Sequence, residues 1–144
     1  MKTKCRILIL ILTLTTLMGS AAFAAVKDDV TIVSPNYVVT DRIITSFVID
    51  KDGLSNSVID VRSKSSSNVD NVKATVSIIK DSTGLPVKTW KNVTLDSNEY
   101  RRYRFDESYK ILTKGSYHLE ATIKLYDGTT LKETVKCDSL SDSF

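Results

Sequence analysis

Cysteine is scarce in this 144-residue chain: there are two, and Cys5 stands ahead of an N-terminal apolar run, far from Cys137. Two thiols so placed make no disulfide framework and no Cys-x-x-Cys metal spacing. Histidine occurs once, at His118. A lone imidazole falls short of zinc's three or four protein ligands, and no serine–histidine arrangement can be built around it. The five glycines are scattered, which leaves no Gly-rich phosphate loop. Calcium needs clustered carboxylates, and the acids of Asp50-Lys51-Asp52-Gly53 and Asp127-Gly128 are what hairpin turns demand. No metal and no cofactor is therefore expected, and no stretch beyond the N-terminal segment has the 3.6-residue periodicity of an amphipathic helix.

The N-terminal segment carries an address. Lys2, Lys4 and Arg6 form a positive start, Ile7 to Met18 is an apolar run broken by threonines, and Ala22-Phe23-Ala24 has the small-x-small form of a cleavage site. Residues 1–24 read as a helical signal peptide cut after Ala24. The rival is a retained anchor, but the run is short for a bilayer, which takes about 20 apolar residues. Any membrane contact is thus expected only through the signal before cleavage. Removing it leaves 17 of the 20 basic residues against 17 acidic ones. A neutral mature chain predicts no nucleic-acid partner, because phosphate recognition needs a clustered basic surface. It also leaves Cys137 alone, either as a small buried hydrophobe late in a strand or as an intermolecular link.

Downstream, the pattern is period two. Residues 25–41 read as an N-terminal arm, with Pro35 limiting any strand there to an edge. Strands are predicted over 42–51, 54–64, 72–81, 87–95, 99–105, 116–126 and 130–137, with residues 106–114 as a crossover and 138–144 as a flexible tail. In the clearest, Tyr117, Leu119, Ala121, Ile123 and Leu125 share one face, while His118, Glu120, Thr122, Lys124 and Tyr126 share the other. Turn signals about every ten residues predict an all-β antiparallel sandwich of about seven strands, spanning 42–137.

Leu112-Thr113-Lys114-Gly115-Ser116-Tyr117-His118-Leu119 resembles the tyrosine corner of immunoglobulin-like and fibronectin-III-like sandwiches. Gly115 supplies the turn, Leu112 the upstream apolar residue, and Tyr117 the hydroxyl that bonds backbone upstream. Leu119 fills the inward slot where antibody domains place Cys. With Val87-Lys88-Thr89-Trp90 and Tyr126-Asp127-Gly128-Thr129, the layout resembles small exported, disulfide-free Ig-like proteins of Gram-positive bacteria, known as domains of unknown function. That resemblance implies an extracytoplasmic location and no known activity; the fold alone hosts many roles.

Candidate contact residues come in two groups. In Tyr100-Arg101-Arg102-Tyr103-Arg104-Phe105, arginines and aromatics together suit an acidic polymer or glycan. The plainer account puts Tyr103 and Phe105 in the core, with Arg101, Arg102 and Arg104 solvating the sheet. Trp90 is either a sugar-stacking platform or a residue closing one end of the sandwich; its phase against Val87, Thr89, Lys91 and Val93 implies a bulge or an exposed ring. His118 beside Glu120 reads as an outward strand residue. So small a sandwich is expected to leave little room for a pocket of several hundred Å³. The expected function is that of an exported, non-catalytic interaction or structural module at the cell envelope or in the medium. Its partner would be a cell-wall polymer or another extracellular protein. The alternative is an exported enzyme inhibitor or small enzyme acting through a loop, with residues 65–71 or 106–114 as the candidate loops.

Overall fold

A computed structural model describes the backbone of residues 30–33 and all of residues 37–98 and 100–144; the predicted signal peptide and the rest of the predicted arm lie outside the described residues. Strands β1 (Val30–Val33), β2 (Thr40–Ile49), β3 (Leu54–Ser63), β7 (Arg102–Lys110) and β6 (Asp96–Asn98) form one antiparallel sheet in that order. β4 (Asn71–Lys80) lies between β5 (Leu85–Thr94) and β8 (Ser116–Asp127) in the second sheet. The other edge of β8 takes both β9 (Thr130–Asp138) and the two-residue β10 (Asp142–Ser143). The orders β2-β3-β7-β6 and β4-β8-β9 reproduce the A-B-E-D and C-F-G sheets of an immunoglobulin-like sandwich, so the fold is all-β and Ig-like.

Alternation builds the core. β8 buries Tyr117, Leu119, Ala121, Ile123 and Leu125, and β4 buries Val72, Ala74, Val76 and Ile78 beside them. From the facing sheet come Ile43, Phe47, Ile49, Ile59, Val61, Tyr103 and Phe105. Cys137 joins them on the inward phase of β9; burial, then the Asp138 charge, pushes its thiol up to about 12. The corner is present, with the Tyr117 hydroxyl donating to the Thr113 carbonyl at 2.5 Å. Its apolar partner is not Leu112, which is 87% exposed, but Ile111, which is 3% exposed. The Ile111 amide bonds the Gly53 carbonyl at 2.8 Å, and that link sets which of the two adjacent residues turns inward.

Several boundaries move. The predicted 99–105 strand breaks at a hairpin tip: Tyr100 and Arg101 have φ of 77° and 60°, and the strand resumes at Arg102. Residues 106–110 are no crossover, because they continue β7 in register with Leu54 to Val58 of β3. The candidate loop there is correspondingly reduced. Residues 138–144, expected to be flexible, are tied down. Ser139 Oγ accepts the Leu119 amide at 2.9 Å, Asp142 accepts the Ile49 amide at 2.7 Å, and the Phe144 ring stacks on Tyr117 with centroids 6.5 Å apart.

The two open sides of the sandwich are closed by different means. Along the β2 side, hydrogen bonds cross between sheets. The Glu133 carboxylate accepts the amides of Val38 (2.7 Å), Val39 (3.1 Å) and Thr40 (2.9 Å) and the Thr40 hydroxyl (2.8 Å). Burial alone would raise the Glu133 pKa, but these donors outweigh it and hold it below the ordinary value. Along the β5 side the closure is aromatic. Trp90 meets Phe105 edge-on at 5.4 Å and Tyr109 at 6.4 Å, and Lys88 Nζ sits over the Trp90 and Tyr109 rings. Trp90 reaches inward because β5 is bulged opposite Ala74 to Val76, with Asn92 at φ 52°.

Candidate functional site

The arginine stretch does not make one surface with Trp90. Arg102 and Arg104 stand on the outer face of β7, whereas Trp90 packs against Phe105 on the inner face. Arg102 grips Asp60 with two hydrogen bonds, Nε to Oδ1 at 3.2 Å and Nη2 to Oδ2 at 2.6 Å. Arg104 binds Asp106 at 2.8 Å and approaches Asp60 at 3.8 Å. Both guanidiniums thus serve carboxylates of their own sheet. Fork-to-carboxylate geometry of this kind satisfies Asp60, which is nearly buried.

Arg101 does something else. Its Nη1 donates to the carbonyls of Lys64 (3.0 Å), Ser65 and Ser67 (2.7 Å), while its own carbonyl accepts the Ser63 amide at 3.1 Å. The hairpin tip and the 64–67 turn are stapled together as a result. Between them opens a cleft of about 520 Å³ lined by Asp41, Arg62, Ser63, Lys64, Ser65, Ser66, Tyr100 and Arg101. The expectation of little room for a pocket fails at this end, because two short connections and the start of β2 meet here rather than one long loop.

Tyr100 forms the lip of the cleft. It is 81% exposed, yet it sits on a left-handed backbone with a second left-handed residue after it. Such conformations are uncommon for residues other than glycine and persist where the surroundings enforce them; the Arg101 staple does so here. Ser63 also borders the cleft, but its side chain lies on the inward phase of β3, with its hydroxyl buried and without a partner among the described residues. Lys64 donates to the Tyr37 carbonyl, and Arg62 lies 3.6 Å from Asp41. An exposed aromatic face and cationic side chains can hold a polar ligand. Of these residues Tyr100 belongs to the candidate stretch read from the sequence, and Arg101 is one of its named contacts. Asp41, Arg62, Ser63 and Lys64 were missed, since their proximity to Tyr100 depends on pairing across the sheet.

At the opposite end, His118 is part of a polar cluster. Its Nδ1 lies 2.6 Å from Asp81 Oδ1, and its Nε2 lies 3.5 Å from Glu120. Ser116 Oγ donates to Asp81 Oδ2 at 2.5 Å. Burial would lower the His118 pKa, but hydrogen bonds and charges from Asp81 and Glu120 outweigh it and raise it. Burial would raise that of Asp81, but bonds from Ser116, His118 and Ser141, with the His118 charge, lower it. No group of three or more His, Cys, Asp or Glu side chains arranged to hold a metal ion occurs among the described residues.

The chain is an Ig-like β-sandwich with an open polar cleft between the β3 exit and the β6–β7 hairpin. No protein-family model matches it, and no curated protein does. Among solved structures it is similar to a CARDB domain from Pyrococcus furiosus, solved in complex with di-metal ions. That match has 18% identity and a TM-score of 0.43, and covers 74% of this chain and 91% of that one.

Proposed function

We propose that the chain is a non-catalytic binding module that acts outside the cytoplasm and holds a polar polymer of the cell envelope in the Tyr100 cleft. The observation that carries this reading is the Tyr100 ring, presented to solvent on a strained hairpin tip beside a cleft of ligand size. Action outside the cytoplasm is supported by the N-terminal segment, with its positive start, apolar run and Ala22-Phe23-Ala24. Pairing of Arg102 and Arg104 with Asp60 and Asp106 moves the site away from the outer face of β7 and toward the hairpin tip. Another extracellular protein docking at the same end would use the same groups.

The test is retention of residues 25–144 on purified cell wall and on immobilised culture-supernatant proteins. Retention on the wall that drops at least tenfold in Tyr100→Ala is the expected result. Absence of retention on either matrix at low and high salt, or equal retention by the variant, would sink the reading.

A further inference from the structure

We infer that the ligand of the Tyr100 cleft is anionic: a phosphorylated polyol or sugar polymer, whose phosphate meets Arg62 while its carbon skeleton lies on the Tyr100 ring. This rests on the reading of the cleft as a binding site and adds the charge of what it binds. Among the described lining residues three are cationic, Arg62, Lys64 and Arg101, and one is anionic, Asp41. What the cations already touch decides whether their charge is available. Lys64 and Arg101 donate to backbone carbonyls, which are neutral, and among the described residues neither has a carboxylate within ion-pair distance, so these bonds leave their charge in place.

Among the described residues Arg62 is the one lining cation with a carboxylate partner, and that pairing is weak. The pair is 3.6 Å apart, and the two side chains are 50% and 52% exposed. Exposed pairs of this kind contribute little, so the guanidinium is free to turn to a better acceptor at small cost. A phosphate offers the paired oxygens that a guanidinium fork fits. A neutral glycan would use the ring but would leave the two-charge surplus of the described lining unanswered. An anionic polymer answers it and keeps the aromatic contact.

The probes are poly(glycerol phosphate), dextran as a neutral polyhydroxyl polymer, and vesicles of phosphatidylglycerol in phosphatidylcholine, titrated into residues 25–144 at low and moderate salt. Poly(glycerol phosphate) is expected to bind, more weakly as salt rises. Its affinity should fall roughly tenfold in Arg62→Gln, the order expected for one lost charge-assisted contact, with Arg62→Lys intermediate. Tyr100→Ala should also weaken it, and circular dichroism checks that each variant folds. If dextran binds as well as the phosphate polymer, with no salt dependence but with sensitivity to Tyr100→Ala, the cleft remains a site and the anionic assignment is overturned. Phosphate-polymer binding that ignores both Tyr100→Ala and Arg62→Gln lies elsewhere and overturns both readings. Binding to phosphatidylglycerol vesicles without binding to the polymer overturns the polymer assignment, as does failure of the polymer to bind at all.

Discussion

Replacing Glu133 tests how the sandwich is held along its β2 side. The carboxylate accepts four hydrogen bonds from three consecutive residues, Val38 to Thr40. Each hydrogen bond to a charged acceptor contributes about 1.5–3 kcal/mol net when buried. They are not additive, and the Val38 amide is exposed and can turn to water. Thr40 is fully buried, so its amide and hydroxyl cannot. Glu133→Ala should therefore cost about 2–4 kcal/mol, chiefly from the two donors of Thr40 left unsatisfied. Glu133→Gln keeps one acceptor oxygen and should cost about half as much, roughly 1–2 kcal/mol. In a thermal melt of residues 25–144 the alanine variant should lose about 8–16 °C, near 4 °C per kcal/mol for a domain of this size. The sign with pH follows from the depressed pKa of Glu133 in the fold. Its contribution is present above the ordinary carboxyl value of 4.5 and is lost as pH falls through the lower folded value. Wild type and Glu133→Gln should thus converge in acid. An alanine variant within 0.5 kcal/mol of wild type at pH 7 would refute this account of the closure.

Three further outcomes are expected. The Asp81–His118 contact should add most stability between the ordinary values of 3.8 and 6.5: the aspartate's part is lost as pH falls through its depressed value, and the histidine's part as pH rises through its raised one. Urea titrations from pH 3 to 9 should show His118→Gln removing the alkaline limb, and an unchanged profile would contradict the pairing. Trp90→Ala, which strips the edge contacts to Phe105 and Tyr109, should cost roughly 2–3 kcal/mol, less than for a fully buried ring. A variant as stable as wild type would show that the aromatic closure is decorative. Cys137, with its thiol raised to about 12, should resist a thiol reagent in the native protein and react once urea unfolds it; rapid native labelling would mean that β9 opens locally.

Much of the fold was legible because most strands keep strict alternation. Tyr117 to Leu125 could be placed by period alone, and Tyr117 does close the corner. Alternation fails where backbone geometry changes phase. Trp90 fell out of phase because of the bulge at Asn92, and the sequence permitted either a bulge or an exposed ring. Leu112 was chosen over Ile111 because two adjacent apolar residues outside a strand carry no phase. Glu133 was visible in principle: an acid on the inward phase with Val135 and Cys137 signals a partly buried acceptor. The cleft was far less legible. Arg62 and Tyr100 come together only because β3 pairs with β7.

The inter-sheet bonds along β2 also bear on the order in which the chain folds. Glu133 to Val38, Thr45 to Asp138, and Ile49 to Asp142 join residues 93 to 95 positions apart. Contacts of such separation are slow to form, since a long loop must close before they contribute. A chain emerging from its N-terminus would hold Ile43 and Phe47 of β2 without their covering strands until β9 and β10 arrive. The interval between the first strand and the last is therefore the aggregation-sensitive stage of this molecule's life, and changes that delay β9 should lower yield more than they lower the stability of the finished fold.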